Sequence, residues 1–233
     1  MGMYPTAQAG SDPKRVKRKE RETMKYLKML GLAAVAAMAL MAFVGASSAS
    51  ATVLCKEKPT GEGTTCPAGA AYGAGTTTHE VSEGSVKLTT AFKNIECDKS
   101  IIEVEIQNEG SATETPNGPV KTLTFEECNC EVKTIKDGTQ EYHWVAGTNN
   151  GTITSTGSEV TANCSTVFGT VHCIYKTNAT DLGVSTGGAP AKVDIEENDI
   201  PRLTTNALCD EEAKWDGHYK VESPNPLYFA AHT

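Results

Sequence analysis

No cysteine precedes residue 55. Beyond residue 51 the chain also lacks a long apolar run and any convincing helical periodicity, so a helical bundle and a second membrane-spanning helix are both excluded. Aromatic residues are scarce: two tryptophans and five phenylalanines in 233 residues leave a core built mainly from aliphatic side chains. No Cys-x-x-Cys pair occurs, which argues against zinc knuckles and dithiol redox chemistry, and Cys128-Asn129-Cys130 has the wrong spacing for either. No His-Glu-x-x-His segment or phosphate-binding glycine loop is present.

What is present starts with an export pattern. Eight basic residues lie between Lys14 and Lys28, and the uncharged run Met29 to Gly45 leads into Ala49-Ser50-Ala51. Residues 1–51 therefore read as a basic leader and secretory signal peptide with cleavage after Ala51, and Met24 is an alternative start. An uncleaved anchor is the rival reading; a lipid-modified Cys55 is disfavoured by the bulky Leu54 before it. Residues 1–51 hold eight of the 21 basic and three of the 29 acidic side chains, so residues 52–233 keep 13 and 26 and a net charge of −13. Such acidity repels phosphate backbones and anionic lipid. Nucleic acid is excluded as a partner, and any membrane contact rests on the signal segment. A cell-envelope or carbohydrate ligand is the partner class left open.

The eight thiols Cys55, Cys66, Cys97, Cys128, Cys130, Cys164, Cys173 and Cys209 all follow the signal. An even number of cysteines in an exported chain predicts a disulfide framework. Local pairing predicts Cys55–Cys66 and Cys164–Cys173, with Cys128 and Cys130 each taking one of Cys97 and Cys209.

Residues 52–233 read as a single secreted β domain, with 52–84 as an irregular Gly-, Thr- and Pro-rich N-terminal segment. From Ser85 onward apolar residues alternate with polar ones. Ile102, Val104 and Ile106 are the clearest set, followed by Leu123 and Phe125, Cys130 and Val132, Tyr142 and Trp144, and Val171, Cys173 and Tyr175. Turn signals separate them: Asn108-Glu109-Gly110, Pro116-Asn117-Gly118, Asp137-Gly138, Asn150-Gly151, Gly157-Ser158, Phe168-Gly169 and Gly187-Gly188. Asn206 to Trp215 allows at most a short helix. The pattern predicts an all-β, disulfide-bonded, antiparallel β-sandwich, with a barrel as the alternative. An immunoglobulin domain does not fit, because Tyr175 follows Cys173 by two residues instead of preceding it.

No catalytic, cofactor-binding or metal-ligating set emerges. His172 and Cys173 are adjacent on a strand and point to opposite faces, so they cannot act as base and nucleophile. The acidic groups Glu126-Glu127, Asp194 with Glu196, Glu197 and Asp199, and Asp210-Glu211-Glu212 lack calcium-loop spacing and read as solvated surface. Trp215, Tyr219 and Val221 share one face of a strand and are assigned to the core; exposed, the two aromatics would suit sugar stacking.

Leu208-Cys209, Ala213-Lys214-Trp215, Tyr219-Lys220-Val221, Ser223-Pro224 and Pro226-Leu227-Tyr228-Phe229-Ala230 resemble the closing pattern of a family of uncharacterised secreted bacterial all-β proteins that occur as many paralogues. Cys173-Ile174-Tyr175 and Gly187-Gly188 are similar to the same family. The resemblance implies a secreted bacterial protein and transfers no catalytic residue. The expected function is a non-enzymatic binding or structural role at the cell surface or outside the cell. The alternatives are a carboxylate-dependent hydrolase acting on polysaccharide and a carbohydrate-binding module.

Overall fold

Strand alternation decides which side of each segment faces inward, and hydrogen-bonded neighbours decide how the strands are ordered. The computed structural model describes residues 52–61, 65–111, 113–167, 169–179 and 181–232; the expected leader and signal peptide lie outside them. All described strands belong to one unit, Ala49–Thr233. They are β1 (Thr52–Cys55), β2 (Thr77–Ser82), β3 (Val86–Thr89), β4 (Ile95–Glu105), β5 (Asn117–Cys128), β6 (Glu131–Lys136) and β7 (Thr139–Trp144). The second half contributes β8 (Gly151–Thr156), β9 (Glu159–Thr166), β10 (Gly169–Lys176), β11 (Asp181–Thr186), β12 (Lys192–Pro201), β13 (Glu212–Ser223) and β14 (Tyr228–Ala231). Among the described residues there is no helix, so the short helix allowed over Asn206–Trp215 is replaced by a turn leading into β13.

Every pairing is antiparallel, and the order β13-β2-β4-β5-β7-β8-β11-β12 closes on itself because β12 also pairs β13, from Lys192↔Lys220 to Pro201↔Glu212. This closed ring decides between sandwich and barrel in favour of the barrel, while the three-stranded sheet β10-β9-β6 keeps its two outer strands outside the ladder. Four of its eight staves are double, the first being β2 with β3, which both lie between β4 and β13. β6 and β7 run on as one stave beside β9 and β8, since Lys136↔Glu159 continues directly into Thr139↔Thr156. In the same way β8 and β9 lie beside β11 and β10. Asp137-Gly138 and Gly157-Ser158 are therefore kinks within staves and not the expected hairpin turns. A Cβ on Gly138 would sit 2.4 Å from the Ser158 backbone nitrogen, and Gly157 has φ +81°, so both glycines serve close approach and bending. Asn117-Gly118 likewise begins β5 instead of forming a turn.

Segment 52–84 is less irregular than its composition implies. β1 pairs β14 from Thr52↔Ala231 to Cys55↔Tyr228, and β2 forms one half of a stave between β4 and β13 that β3 continues. β2 escapes pattern reading because its inward residues, Thr78 and Glu80, are polar. The β1–β14 ribbon covers one end of the barrel. Trp144 donates its backbone N–H to Thr52 Oγ1 at 2.9 Å, and Leu54, Leu227 and Phe229 join Ile106 and Tyr142 in one core cluster. Gly151 leaves room for Phe229, whose ring would lie 2.2 Å from an added Cβ.

The disulfides are Cys55–Cys66, Cys97–Cys128, Cys130–Cys164 and Cys173–Cys209. Contrary to expectation, Cys164 does not bridge Cys173, and Cys130 takes neither Cys97 nor Cys209. The β9–β10 register sets Cys164 opposite Val171 and Cys173 opposite Ala162, whereas Glu131↔Asn163 brings Cys130 level with Cys164. Directly opposed residues are the ones close enough to bridge. Cys97–Cys128 ties β4 to β5, Cys130–Cys164 ties the start of β6 to β9, and Cys173–Cys209 ties β10 to the turn before β13, all at the end remote from the β1–β14 ribbon.

The outer face is charged, with Lys121–Glu105 and Lys99–Glu126 ion pairs between β4 and β5 and a Lys192–Glu83 pair from β12 to the segment after β2. Apolar inside and charged outside is the reverse of a membrane-spanning barrel. Among the described residues no helix is long and apolar enough to cross a membrane.

Candidate functional site: an internal cavity with a buried carboxyl

An eight-stranded barrel has an interior that side chains can just fill, or that can keep room for one small ligand. Here the inward residues leave a cavity of about 130 Å³ between the two main core clusters. Its walls are mostly aliphatic, including Leu88, Ile95, Ile102, Val160 and Ile200. Phe125 and Trp215 complete one side, packed edge to face with ring centres 5.4 Å apart. Gly217 lies between Trp215 and Tyr219 on β13, and a Cβ there would come within 2.8 Å of the Tyr219 ring.

The polar lining is sparse and concentrated. Glu80 projects from β2 with only 2% of its surface exposed, flanked on the neighbouring strands by Ile102 and Val221. Burial raises its pKa to about 7, because the ionised form gives up its hydration. Nearby, the Thr78 and Tyr142 hydroxyls are 3.2 Å apart, and Tyr142 donates to Gln140 Oε1 at 3.2 Å. Tyr142 and Tyr219 are both fully buried. Their hydroxyl pKa values are raised first by burial, and the Glu80 carboxyl adds to the shift. The Tyr219 hydroxyl has no hydrogen-bond partner of good geometry, although Ser100 and Trp215 are its polar neighbours. The Tyr175 hydroxyl is also buried without a partner, and burial raises its pKa to about 12. Buried polar atoms are seldom left unpaired, and two such hydroxyls, those of Tyr175 and Tyr219, lie on the wall of this one cavity.

The wall is not uniformly laddered. Beyond Val120, β5 forms no backbone ladder with β6; the Thr134 hydroxyl donates to the Leu123 carbonyl across the seam. Leu123, Phe125 and Val132 beside this seam also line the cavity.

The residues singled out in the sequence fall elsewhere or inside. All eight cysteines are bridged. His172 is exposed with Nδ1 at Asn163, on the face opposite its bridged neighbour Cys173. Asp194 pairs with His218, Asp199 with Lys214, and Asp210 accepts from the Ala91 backbone N–H; no three potential metal ligands converge among the described residues. Tyr219 is fully buried and Trp215 half-buried against the cavity, so the two do not form an external stacking platform. Gly183-Val184-Ser185-Thr186-Gly187 matches the Gly-x-Ser-x-Gly pattern of a hydrolase nucleophile elbow. It lies mainly along strand β11, and Ser185 is buried without a hydrogen-bond partner, whereas an elbow needs an exposed serine on a strand-to-helix turn. Sequence reasoning missed Glu80. Its only signal was a carboxylate at an inward strand position, which becomes visible once β2 is placed in the barrel.

Comparison with protein-family models, curated proteins and solved structures found no match for this chain. Four disulfides in an all-β domain are typical of proteins of oxidising, extracellular environments.

Proposed function

We propose that this protein is a secreted, non-enzymatic carrier or scavenger that holds one small, largely apolar molecule inside its barrel. The observation that carries this reading is the cavity of about 130 Å³, walled by aliphatic and aromatic residues and fitted with unpaired buried polar atoms. Its size sets the ligand class. An apolar cavity of roughly 150 Å³ takes up benzene in a well-studied engineered protein, so the guest here is a molecule of about five to seven heavy atoms. Secretion rests on the signal pattern together with the disulfides, and membership of the secreted bacterial paralogues on the C-terminal resemblance.

A hydrolase is the weaker reading. Glycoside hydrolysis needs two carboxyl groups facing one reaction centre, and Glu80 is the single carboxyl among the described cavity-lining residues. The test is calorimetric titration of the full chain with benzene, alongside a cavity-filled Val160→Phe variant. Saturable binding that disappears in the variant supports the carrier reading. Failure of benzene and similar small apolar molecules to bind the natural protein would overturn it.

A further inference from the structure

The cavity has one charged end and no counter-charge. Among the described residues that line it, Glu80 is the single carboxyl, and none is Lys, Arg or His. The groups facing Glu80 from the surrounding strands are Tyr142 on β7 and Tyr219 on β13, with Ile102 on β4 and Val221 on β13 beside it. His79 on its own strand points outward, to Glu103 and Glu222. A buried carboxylate without a cation is an incomplete arrangement, because buried charges are normally paired. Resting on the carrier reading above, we infer that the natural guest is a small primary amine whose ammonium group pairs with Glu80 while its hydrocarbon part fills the aliphatic half of the cavity.

The alternatives fit less well. A carboxylic acid guest would set a second negative charge beside Glu80 with nothing to neutralise either. A neutral alcohol would satisfy one hydrogen bond and leave the carboxylate charge uncompensated in a low-dielectric interior. An ammonium supplies both charge and donors, and the Tyr219 hydroxyl on the cavity wall offers it a second acceptor.

The proton balance fixes the pH dependence. Between the carboxyl value of about 7 and an amine value of about 10, both partners are already charged and no proton moves on binding. Below about 7, binding must expel the proton from Glu80, so amine affinity falls by about tenfold from pH 8 to pH 6.

The experiment measures dissociation constants of n-butylamine, n-butanol, butyrate and benzene for the full chain and for Glu80→Gln, at pH 6 and pH 8, by calorimetry or ligand-observed NMR. The expected result at pH 8 is butylamine bound at least tenfold more tightly than butanol, butyrate not bound, and the amine preference lost in Glu80→Gln while benzene affinity is kept. Equal affinities for butylamine and butanol, or an amine preference that survives in Glu80→Gln, overturns the amine inference and leaves the carrier reading standing. Failure of all four probes overturns the carrier reading itself. If Glu80→Gln does not fold, the pH series on the natural protein decides. An amine affinity that does not weaken toward pH 6 overturns the inference.

Discussion

Replacing Glu80 by glutamine is expected to stabilise the protein at neutral and alkaline pH, although it removes a charge and nothing else. Folding raises the Glu80 pKa from 4.5 to about 7 through burial. The folded state therefore holds its proton to higher pH than the unfolded chain. Stability is fully present below pH 4.5, declines as the pH rises from there to about 7, and is flat above. At 1.36 kcal/mol per pH unit the whole decline is roughly 3 kcal/mol. Glutamine is nearly isosteric and does not titrate, so the two proteins should be similar at pH 4, with Glu80→Gln gaining roughly 3 kcal/mol relative to the natural chain by pH 8. Urea unfolding with the disulfides intact, followed by tryptophan fluorescence and circular dichroism at both pH values, measures this difference. Comparing the two proteins at each pH cancels the exposed carboxylates common to both. A stability difference that changes by less than about 1 kcal/mol between pH 4 and pH 8 would refute the burial argument.

Three further outcomes test the architecture. The double substitution Cys173→Ser with Cys209→Ser opens a bond that closes a 36-residue separation, and should cost about 4 kcal/mol in denaturant unfolding. Gly151→Val drives a side chain into the Phe229 ring and should destabilise the ribbon-covered end by about 2 kcal/mol, read as lost near-ultraviolet dichroism and a lower Tm. On the outer face, Glu103 is held below the usual carboxylate range first by the Thr122 hydroxyl and then by His79. Thr122→Val should therefore raise its pKa in an NMR titration, and an unchanged value would contradict that assignment.

Much of the wall was legible in the sequence. Ile102, Val104 and Ile106 alternate with charged residues and are buried as that alternation requires. Cys55–Cys66 follows from proximity, and Cys97–Cys128 was within the allowed pairings. The remaining bridges depend on register. One offset of two residues between Cys164 and Cys173 redirects both, and register is set by the whole ladder and not by local spacing. Gly138 and Gly157 carried hairpin chemistry yet serve to bend continuous staves, because a glycine marks an unusual backbone without saying whether the chain reverses there. The cavity was the least legible feature. Glu80 and Thr78 look like surface residues in a polar stretch, and their inward orientation depends on β13, which pairs β2 from across more than 130 residues of sequence.

The most direct measurement is a crystal structure of the protein exposed to iodobenzene vapour, read by the anomalous signal of iodine. Occupancy inside the barrel, with the halogenated ring against Trp215 and the aliphatic wall on the Leu88 side, is the result expected here. A barrel interior closed over by its own side chains, with iodine found at surface sites alone, would contradict the claim that this fold is built around a guest.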